Sequence, residues 1–164
     1  MVATVLVGEK NGAGGTFTDK TSGIVRFKNA DNPTVDLVNP MVVPVAGTDY
    51  SYEKWLKMKI GGTGPASQIT NLKFYTDGAN SLGTGVGLYA KAVTTYATPA
   101  EATATTGYTD AFTYTSGSPL SLGAGPYSST NTEMGDHCVM ICTVDSTAGP
   151  GTPSDTLTFG YDEI

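Results

Sequence analysis

The stretch that decides the fold is DYSYEKWLKMKI, residues 49–60. Successive side chains of a β-strand point to opposite faces, so a period of two in hydropathy predicts a strand with one buried face. Lys54 interrupts the apolar face of this stretch, and Trp55 lies on the polar face. The apolar face carries Tyr50, Tyr52, Leu56, Met58 and Ile60, and the polar face carries Ser51, Glu53, Trp55, Lys57 and Lys59. We therefore expect a long strand here, with charged residues facing outward.

The same alternation recurs along the chain between Gly-, Pro- and Asn-rich turn signals. It predicts further strands at residues 2–7, 23–28, 68–76, 86–94, 111–115, 120–122, 136–144 and 156–162. There is no internal repeat and no linker, so residues 1–164 are expected to form a single domain. Because each strand has one apolar face to bury, the expected architecture is an all-β antiparallel two-layer sandwich, jelly-roll-like or Greek-key.

Three segments lack this regular alternation. Residues 8–23 are rich in Gly and Thr and are predicted to form an extended arm or a surface loop. Residues 41–45 form an apolar run between prolines, which indicates an edge or a bend. Residues 96–108 are rich in Thr and Ala, contain a proline, and are predicted to be irregular.

The composition supports this fold class and excludes several functions. The chain has 164 residues, of which 15% are charged and 21 are Gly, and it carries a net charge of −6. Nucleic-acid binding requires a basic face, and the only local cluster of cations, Lys54, Lys57 and Lys59, is split between two strand faces. We therefore expect no nucleic-acid partner.

No apolar run approaches the roughly 20 residues that span a bilayer, so no membrane association is expected. The first ten residues contain a short apolar run without a basic leader before it or a cleavage site after it. They are interpreted as a strand, and the chain is expected to be made in a cytoplasm and not to be exported by the usual route.

Residues that could carry catalysis are few. His137 is adjacent to Cys138, but neighbours on a strand point to opposite faces, so they could form a dyad only if a bulge broke the alternation. Cys138 and Cys142 share a face about 13 Å apart, too far for a disulfide, and are interpreted as small buried hydrophobes. One His and two distant Cys do not make a zinc site, and residues 31–32 and 77–80 do not match the 12-residue calcium loop. We expect no cofactor, no metal and no enzymatic activity, with His137 partly exposed at a strand end.

Aromatic side chains are the remaining functional signal. Trp55, Tyr75 and Tyr89 are predicted to face outward, with Lys57 and Lys59 nearby, and they form our candidate interface. Such aromatics can anchor a protein contact or stack on sugar rings. The alternative is that loops at residues 96–108 or 116–133 cover them.

Four stretches also carry a resemblance to a known group of proteins. They are GTDYSYEKW at residues 47–55, ITNLKFYTDG at 69–78, GVGLYAK at 85–91 and LTFGYDE at 157–163. Together they resemble small virion structural proteins of tailed bacteriophages, of the kind described as head decoration or minor structural components. The likeness covers roughly residues 40–164 and lies in style and order, so it supplies no site residues.

This resemblance implies a β-sandwich on the capsid surface of a virion. It implies a symmetric homo-oligomer that binds the major capsid protein, and residues 8–23 are a candidate arm for pairing with a neighbour. Two alternatives remain open: a glycan-binding or adhesion module displayed on a virion or cell surface, and a component of the phage tail.

Overall fold

The computed structural model describes residues 2–65 and 68–164; Met1, Ala66 and Ser67 lie outside the described residues. The described chain contains strands and one short 3₁₀ helix, Ala111–Thr113, and no α-helix. The strands are β1 (Val5–Asn11), β2 (Thr16–Asp19), β3 (Thr48–Tyr50), β4 (Lys54–Ile60), β5 (Ile69–Tyr75), β6 (Val86–Val93), β7 (Thr109–Asp110), β8 (Leu120–Gly123), β9 (Glu133–Asp145) and β10 (Thr158–Glu163). The predicted all-β fold is confirmed.

The larger of two antiparallel sheets is built around β9. Its strand order is β2-β1-β4-β9-β6-β7, and β3 pairs with the end of β9 beyond β4. The central strand β9 is rich in Val, Ile, Cys and Met and is buried along most of its length. Apolar and β-branched side chains, which suit a covered sheet, therefore occur in the strand that is hydrogen-bonded to another strand on each side.

The smaller sheet, in the order β10-β5-β8, packs over one face of the larger sheet. We call the covered face of the larger sheet the inner face and the opposite one the outer face. Phe74 of β5 is fully buried, with its ring centre 5.4 Å from that of Phe159 of β10. The core side chains from the larger sheet include Leu56, Met58, Ile60, Leu88, Ala90, Met134, Cys138 and Met140. Apolar strand faces buried against each other make the expected antiparallel sandwich.

Residues 8–23 are not an arm or a loose loop, so that prediction is wrong. The second half of β1 and all of β2 form a hairpin whose turn closes with a hydrogen bond from Gly15 N to Gly12 O (3.1 Å). β1 also pairs with β4 as far as Lys10. The alternation of β1 is hard to see in the sequence because Gly8 contributes no side chain to the outer face. The Phe17 ring of β2 fills the space beside Gly8, and a Cβ on Gly8 would collide with it.

The strand predicted at residues 23–28 is also absent. Val25 and Phe27 do pack against the core, which explains the alternation, but the backbone around them makes isolated hydrogen bonds. Tyr52 N donates to Lys28 O (3.1 Å) and Asn29 N donates to Asn39 O (2.9 Å). Prolines at 33, 40 and 44 lack the amide hydrogen that a continuous ladder needs.

Residues 94–108, which we call the crossing segment, run over the outer face. The Tyr96 hydroxyl donates to Gly12 O in the hairpin turn (2.7 Å). Further along, Glu53 N donates to Ala100 O (2.9 Å) and Ala102 N donates to Ser51 O (3.1 Å). The segment is irregular, as predicted, and it covers part of the face that the sequence pattern assigned to solvent.

Candidate functional site

Trp55 is a buried residue, so its predicted role in an exposed interface is wrong. Its side chain is 3% exposed and makes edge-on contacts with the rings of Tyr96 (5.3 Å between centres) and His137 (5.4 Å). The indole Nε1 donates to Glu53 Oε2 (2.9 Å). The alternative, that residues 96–108 cover this aromatic, is confirmed for Trp55.

Lys57 is likewise unavailable as a contact residue. Its side chain is buried, and its ammonium donates to the backbone carbonyl of Gly135. Gly135 has a φ of +61°, and the register between β4 and β9 shifts between Leu56 and Met58 at the same level. A β-bulge of this kind takes a carbonyl out of the ladder and makes it available to a side chain. Burial lowers the pKa of Lys57 from its ordinary value.

The other predicted interface residues are half-buried and lie apart. Lys59 has its ammonium 5.4 Å from the centre of the Phe17 ring, and Tyr89 of β6 lies opposite Asp110 of β7. Tyr75 belongs to the smaller sheet, where it lines a shallow depression together with Asp77 and Thr115. Trp55, Tyr75 and Tyr89 are therefore divided between two sheets and do not form one aromatic surface.

Glu53 does not pair with the lysines of its own strand. Its carboxylate accepts hydrogen bonds from Trp55 and from the Tyr108 hydroxyl, and Lys91 Nζ lies 3.7 Å from Oε1. The Lys91 ammonium also lies 3.9 Å from the centre of the Tyr108 ring. These contacts fasten the end of the crossing segment to the larger sheet.

Exposed aliphatic side chains are concentrated in residues 24–45, which we call the valine-rich segment. Within it Val45 is fully exposed and Leu37 is 68% exposed. Among the described residues, the other large hydrophobic side chains with comparable exposure are Val2 and Ile164, near the two ends of the chain. The exposed side chains of the segment are Ile24, Val35, Leu37, Val38, Val42, Val43 and Val45. The apolar run at residues 41–45 was predicted to be an edge or a bend, without a functional role.

Polar contacts hold the valine-rich segment in place. Lys28 is buried, and its ammonium donates to Asp36 Oδ1 (2.9 Å) and Thr34 O (3.0 Å). Val42 N donates to Asp49 Oδ2 (2.7 Å), which ties the segment to β3. Between Lys28 and Val45 the segment therefore directs polar groups inward and most aliphatic groups outward, the reverse of an ordinary surface loop, whereas Val25 and Phe27 at its start pack against the core.

A second cluster of polar residues lies buried on the inner face. We call Glu9, Asn11 and Lys54 the buried triad. Lys54 Nζ lies 2.8 Å from Glu9 Oε1, and neither side chain is exposed. Asn11 Nδ2 donates to Glu9 Oε1 (3.1 Å) and to Asp31 Oδ1 (2.7 Å). Burial lowers the pKa of Lys54, although the charge of Glu9 acts in the opposite direction.

In the sequence, Lys54 interrupts an apolar strand face, and Glu9 falls within the segment that was predicted to be an arm or a loop. The usable signal was that same interruption. A lysine on the core side of a central strand needs a buried acceptor, and the candidate acceptors were the acidic residues of neighbouring strands.

The cysteines and His137 offer no accessible nucleophile. Cys138 and Cys142 are free and buried, as predicted, and burial raises the pKa of both thiols, that of Cys142 to about 12. His137 is buried, which corrects the expectation of partial exposure, because the crossing segment covers it. Its Nδ1 lies 3.1 Å from Val93 O, and burial lowers its pKa.

Residues 2–65 and 68–164 contain no group of three or more His, Cys, Asp or Glu side chains placed to hold a metal ion. Within the same ranges, no helix is long and apolar enough to cross a membrane. Comparison of the chain with family models, curated proteins and solved structures finds no match.

Proposed function

We propose that the protein is a non-enzymatic structural component of a bacteriophage virion. In this proposal it is a capsid decoration protein that binds the lattice of the major capsid protein as a symmetric homo-oligomer and stabilises the head. The observation that carries the proposal is the outward-facing aliphatic surface of the valine-rich segment. The resemblance of residues 47–55, 69–78, 85–91 and 157–163 to virion structural proteins directs it to the capsid.

The exposed aliphatic surface is large enough to matter energetically. At roughly 100 Å² per fully exposed aliphatic side chain, its seven members present about 400 Å² of apolar surface. One side of a standard protein interface buries about 800 Å², of which somewhat more than half is apolar. The segment would therefore supply most of the apolar area that one partner needs. Exposed apolar surface concentrated in one segment is a common mark of a contact site.

The charge distribution of the segment also favours contact with a protein. Residues 37–48 contain no charged side chain, although the chain as a whole carries −6. A partner that covers residues 37–48 therefore buries no charged side chain of this chain. The free-energy cost of removing a charge from water does not arise there. The same feature lets several copies lie close together on a lattice.

A glycan-binding role is less well supported, because it depended on Trp55 as an exposed stacking platform. The Tyr96 ring of the crossing segment and the His137 ring pack against that indole, which is 3% exposed. A role in the phage tail uses the same contact chemistry as a role on the head, so the experiment has to distinguish the two by location.

Cryo-electron microscopy of the virions that contain the chain is the direct test. We expect sandwich-shaped density repeated over the outer surface of the capsid shell, with the valine-rich segment against the major capsid protein or between adjacent copies. Density confined to the tail would make the protein a tail component. Absence from the particle would overturn the proposal.

A binding assay tests the contact surface itself. Particles stripped of the chain are incubated with purified protein and sedimented, and bound protein is measured against concentration. The double variant Leu37→Asp with Val45→Asp should weaken binding at least about tenfold, because burial of each aliphatic side chain is worth about 1.5–3 kcal/mol. Val2→Asp, an exposed valine outside the segment, is the matched control and should bind like wild type. Equal binding by all three proteins would exclude this surface.

A further inference from the structure

The register of the larger sheet places Asn11 and Lys54 opposite each other. In the ladder between β1 and β4, Glu9 pairs with Leu56 and Lys10 with Trp55, which is the last pair, so Asn11 and Lys54 occupy the next positions in register just beyond the ladder. Side chains at directly opposed positions of antiparallel strands have Cβ atoms about 4.5–5.5 Å apart. Both side chains belong to the inner face.

The carboxylate of Glu9 connects these two side chains. Its Oε1 accepts from Lys54 Nζ (2.8 Å) and from Asn11 Nδ2 (3.1 Å). An amine, a carboxamide and a carboxylate therefore meet at one oxygen atom. Glu9 and Lys54 are fully buried, and Asn11 is 9% exposed. Residues 31–32 close the site, because Lys54 Nζ also donates to Asn32 O (2.9 Å) and Asn11 Nδ2 donates to Asp31.

We propose that the Lys54 amine and the Asn11 side-chain amide react within the folded chain to form a covalent amide cross-link between β4 and β1, with Glu9 as the proton carrier. The structure shows the reactants in contact with the shared carboxylate. The product is an isopeptide bond between neighbouring strands of the larger sheet.

The reaction balances without an oxidant or a co-reactant. Lys54 first transfers a proton from its ammonium to Glu9, which leaves a neutral amine and a carboxylic acid. The Nζ lone pair then attacks Asn11 Cγ, the Nζ–Cγ bond forms, and the Cγ–Nδ2 bond breaks. The departing nitrogen takes one of the two protons still on Nζ and the proton held by Glu9, and the other Nζ proton stays on the new amide. It leaves as an ammonium ion, and Glu9 returns to a carboxylate.

Two features of the site favour these steps. Burial lowers the pKa of Lys54, which makes the nucleophilic neutral amine easier to form. Among the described residues, Glu9 Oε2 and Asn11 Oδ1 are buried without a hydrogen-bond partner. A protonated Glu9 can donate to the Asn11 carbonyl oxygen and stabilise the charge that develops there during attack.

A competing reaction of the same asparagine is held back. In an Asn-Gly sequence the following backbone nitrogen can attack Asn Cγ, which gives a succinimide and also releases ammonia. Here Gly12 N donates to Asp31 Oδ2 (2.9 Å), which holds that nitrogen in a hydrogen bond. The two products have the same mass, so the experiment must separate them.

Mass spectrometry of the intact full-length protein is the first measurement. We expect a mass below the value calculated from the sequence by about 17 Da, one ammonia, and a tryptic map in which the peptides containing residues 11 and 54 are joined. An intact mass equal to the calculated value would overturn the proposal. So would a mass lower by one ammonia if the tryptic peptides containing residues 11 and 54 are found separately. These measurements on the wild-type chain decide the matter even if no variant folds.

Variants then identify the reacting groups. Lys54→Arg and Glu9→Gln should each retain full mass, with folding checked by far-ultraviolet circular dichroism. Lys57→Arg is the matched control, because Lys57 is also a buried lysine of β4 but its side chain lies on the outer face. This variant should retain the cross-link. A succinimide would persist in Lys54→Arg, so a loss of ammonia in that variant would contradict the proposed bond.

Discussion

Lys54 and Glu9 form an ion pair inside the sandwich, with 2.8 Å between Lys54 Nζ and Glu9 Oε1 and neither side chain exposed. The pair joins β4 to β1 on the inner face. A buried pair by itself is weak evidence for high stability, because removing two charges from water offsets much of their attraction. It does make the pairing of these two strands specific, since any shift in register would leave one charge buried alone.

Replacing one member of this pair should be costly. Glu9→Gln, which by the proposal above cannot form the cross-link, leaves the Lys54 ammonium without its counter-charge, and we expect the free energy of unfolding to fall by at least about 3–5 kcal/mol in urea denaturation. Lys73→Gln provides the control, since it breaks an exposed pair with 3.6 Å between Lys73 Nζ and Asp162 Oδ1 and should cost less than about 1 kcal/mol. Similar decreases in the free energy of unfolding for both variants would contradict the complete burial of Glu9.

The burial of Trp55 can be followed by its fluorescence, because it is the single tryptophan of the chain. The native protein should show blue-shifted emission that acrylamide quenches poorly, since the indole is 3% exposed. Tyr96→Ala should shift the emission to longer wavelength and increase quenching, because it removes one of the rings over the indole. Tyr75→Ala, in the smaller sheet, should leave the spectrum unchanged. Efficient quenching of the wild-type protein would show that Trp55 is accessible to solvent and would contradict its burial.

Stability should depend on pH through His137. Burial lowers its pKa below the ordinary value of 6.5, and Lys57 and Lys10 add to the effect, while Val93 O and Glu133 oppose it. The unfolded chain therefore binds more protons than the folded chain as the pH falls below about 6.5, and the free energy of unfolding decreases. We expect the melting temperature of wild type to fall more between pH 7.5 and 5.5 than that of His137→Gln. Parallel changes in the two proteins would show that this histidine is not desolvated.

Both thiols should be inert in the folded protein. Cys138 and Cys142 are buried, and their raised pKa values leave almost no thiolate at neutral pH. A colorimetric thiol reagent should detect essentially none in the native state and two per chain in concentrated urea. Rapid labelling of a native thiol would contradict the placement of β9 at the centre of the fold.

The valine-rich segment should contribute little to folding despite its hydrophobicity. Val45→Asp should change the free energy of unfolding by no more than about 0.5 kcal/mol, because this side chain is fully exposed. Met140→Ala, at a fully buried position of β9, should cost about 2–5 kcal/mol. Urea denaturation measures both, and a large loss for Val45→Asp would mean that the segment packs on its own chain.

Much of the fold was predictable because the strong strands alternate cleanly. The predictions at residues 68–76, 86–94 and 136–144 coincide closely with β5, β6 and β9. The hairpin of β1 and β2 was missed because glycine at position 8 breaks the pattern on one strand and the compensating phenylalanine lies on the other. The predicted strand at residues 23–28 shows the opposite error, since side chains can alternate between core and solvent without a hydrogen-bonded partner strand.

The candidate site was less predictable, for a physical reason. Alternation separates the two faces of a strand but carries no information about what crosses over either face. Trp55 and Lys57 lie on a central strand whose outer face is covered in part by a segment that begins more than thirty residues later, at residue 94. Six of the seven exposed aliphatic side chains, those from Val35 to Val45, occur where the sequence predicts no strand, so their exposure was visible only once the chain was folded.

The position of β9 has a consequence for biosynthesis. The ribosome delivers β4 and β6 well before β9, yet β9 is the strand on which both of them pair. Until it emerges, the nascent chain presents two apolar strands with open hydrogen-bonding edges, the kind of surface that chaperones bind and that aggregates when left uncovered. Acquisition of the native state is thus deferred until β9 has been translated.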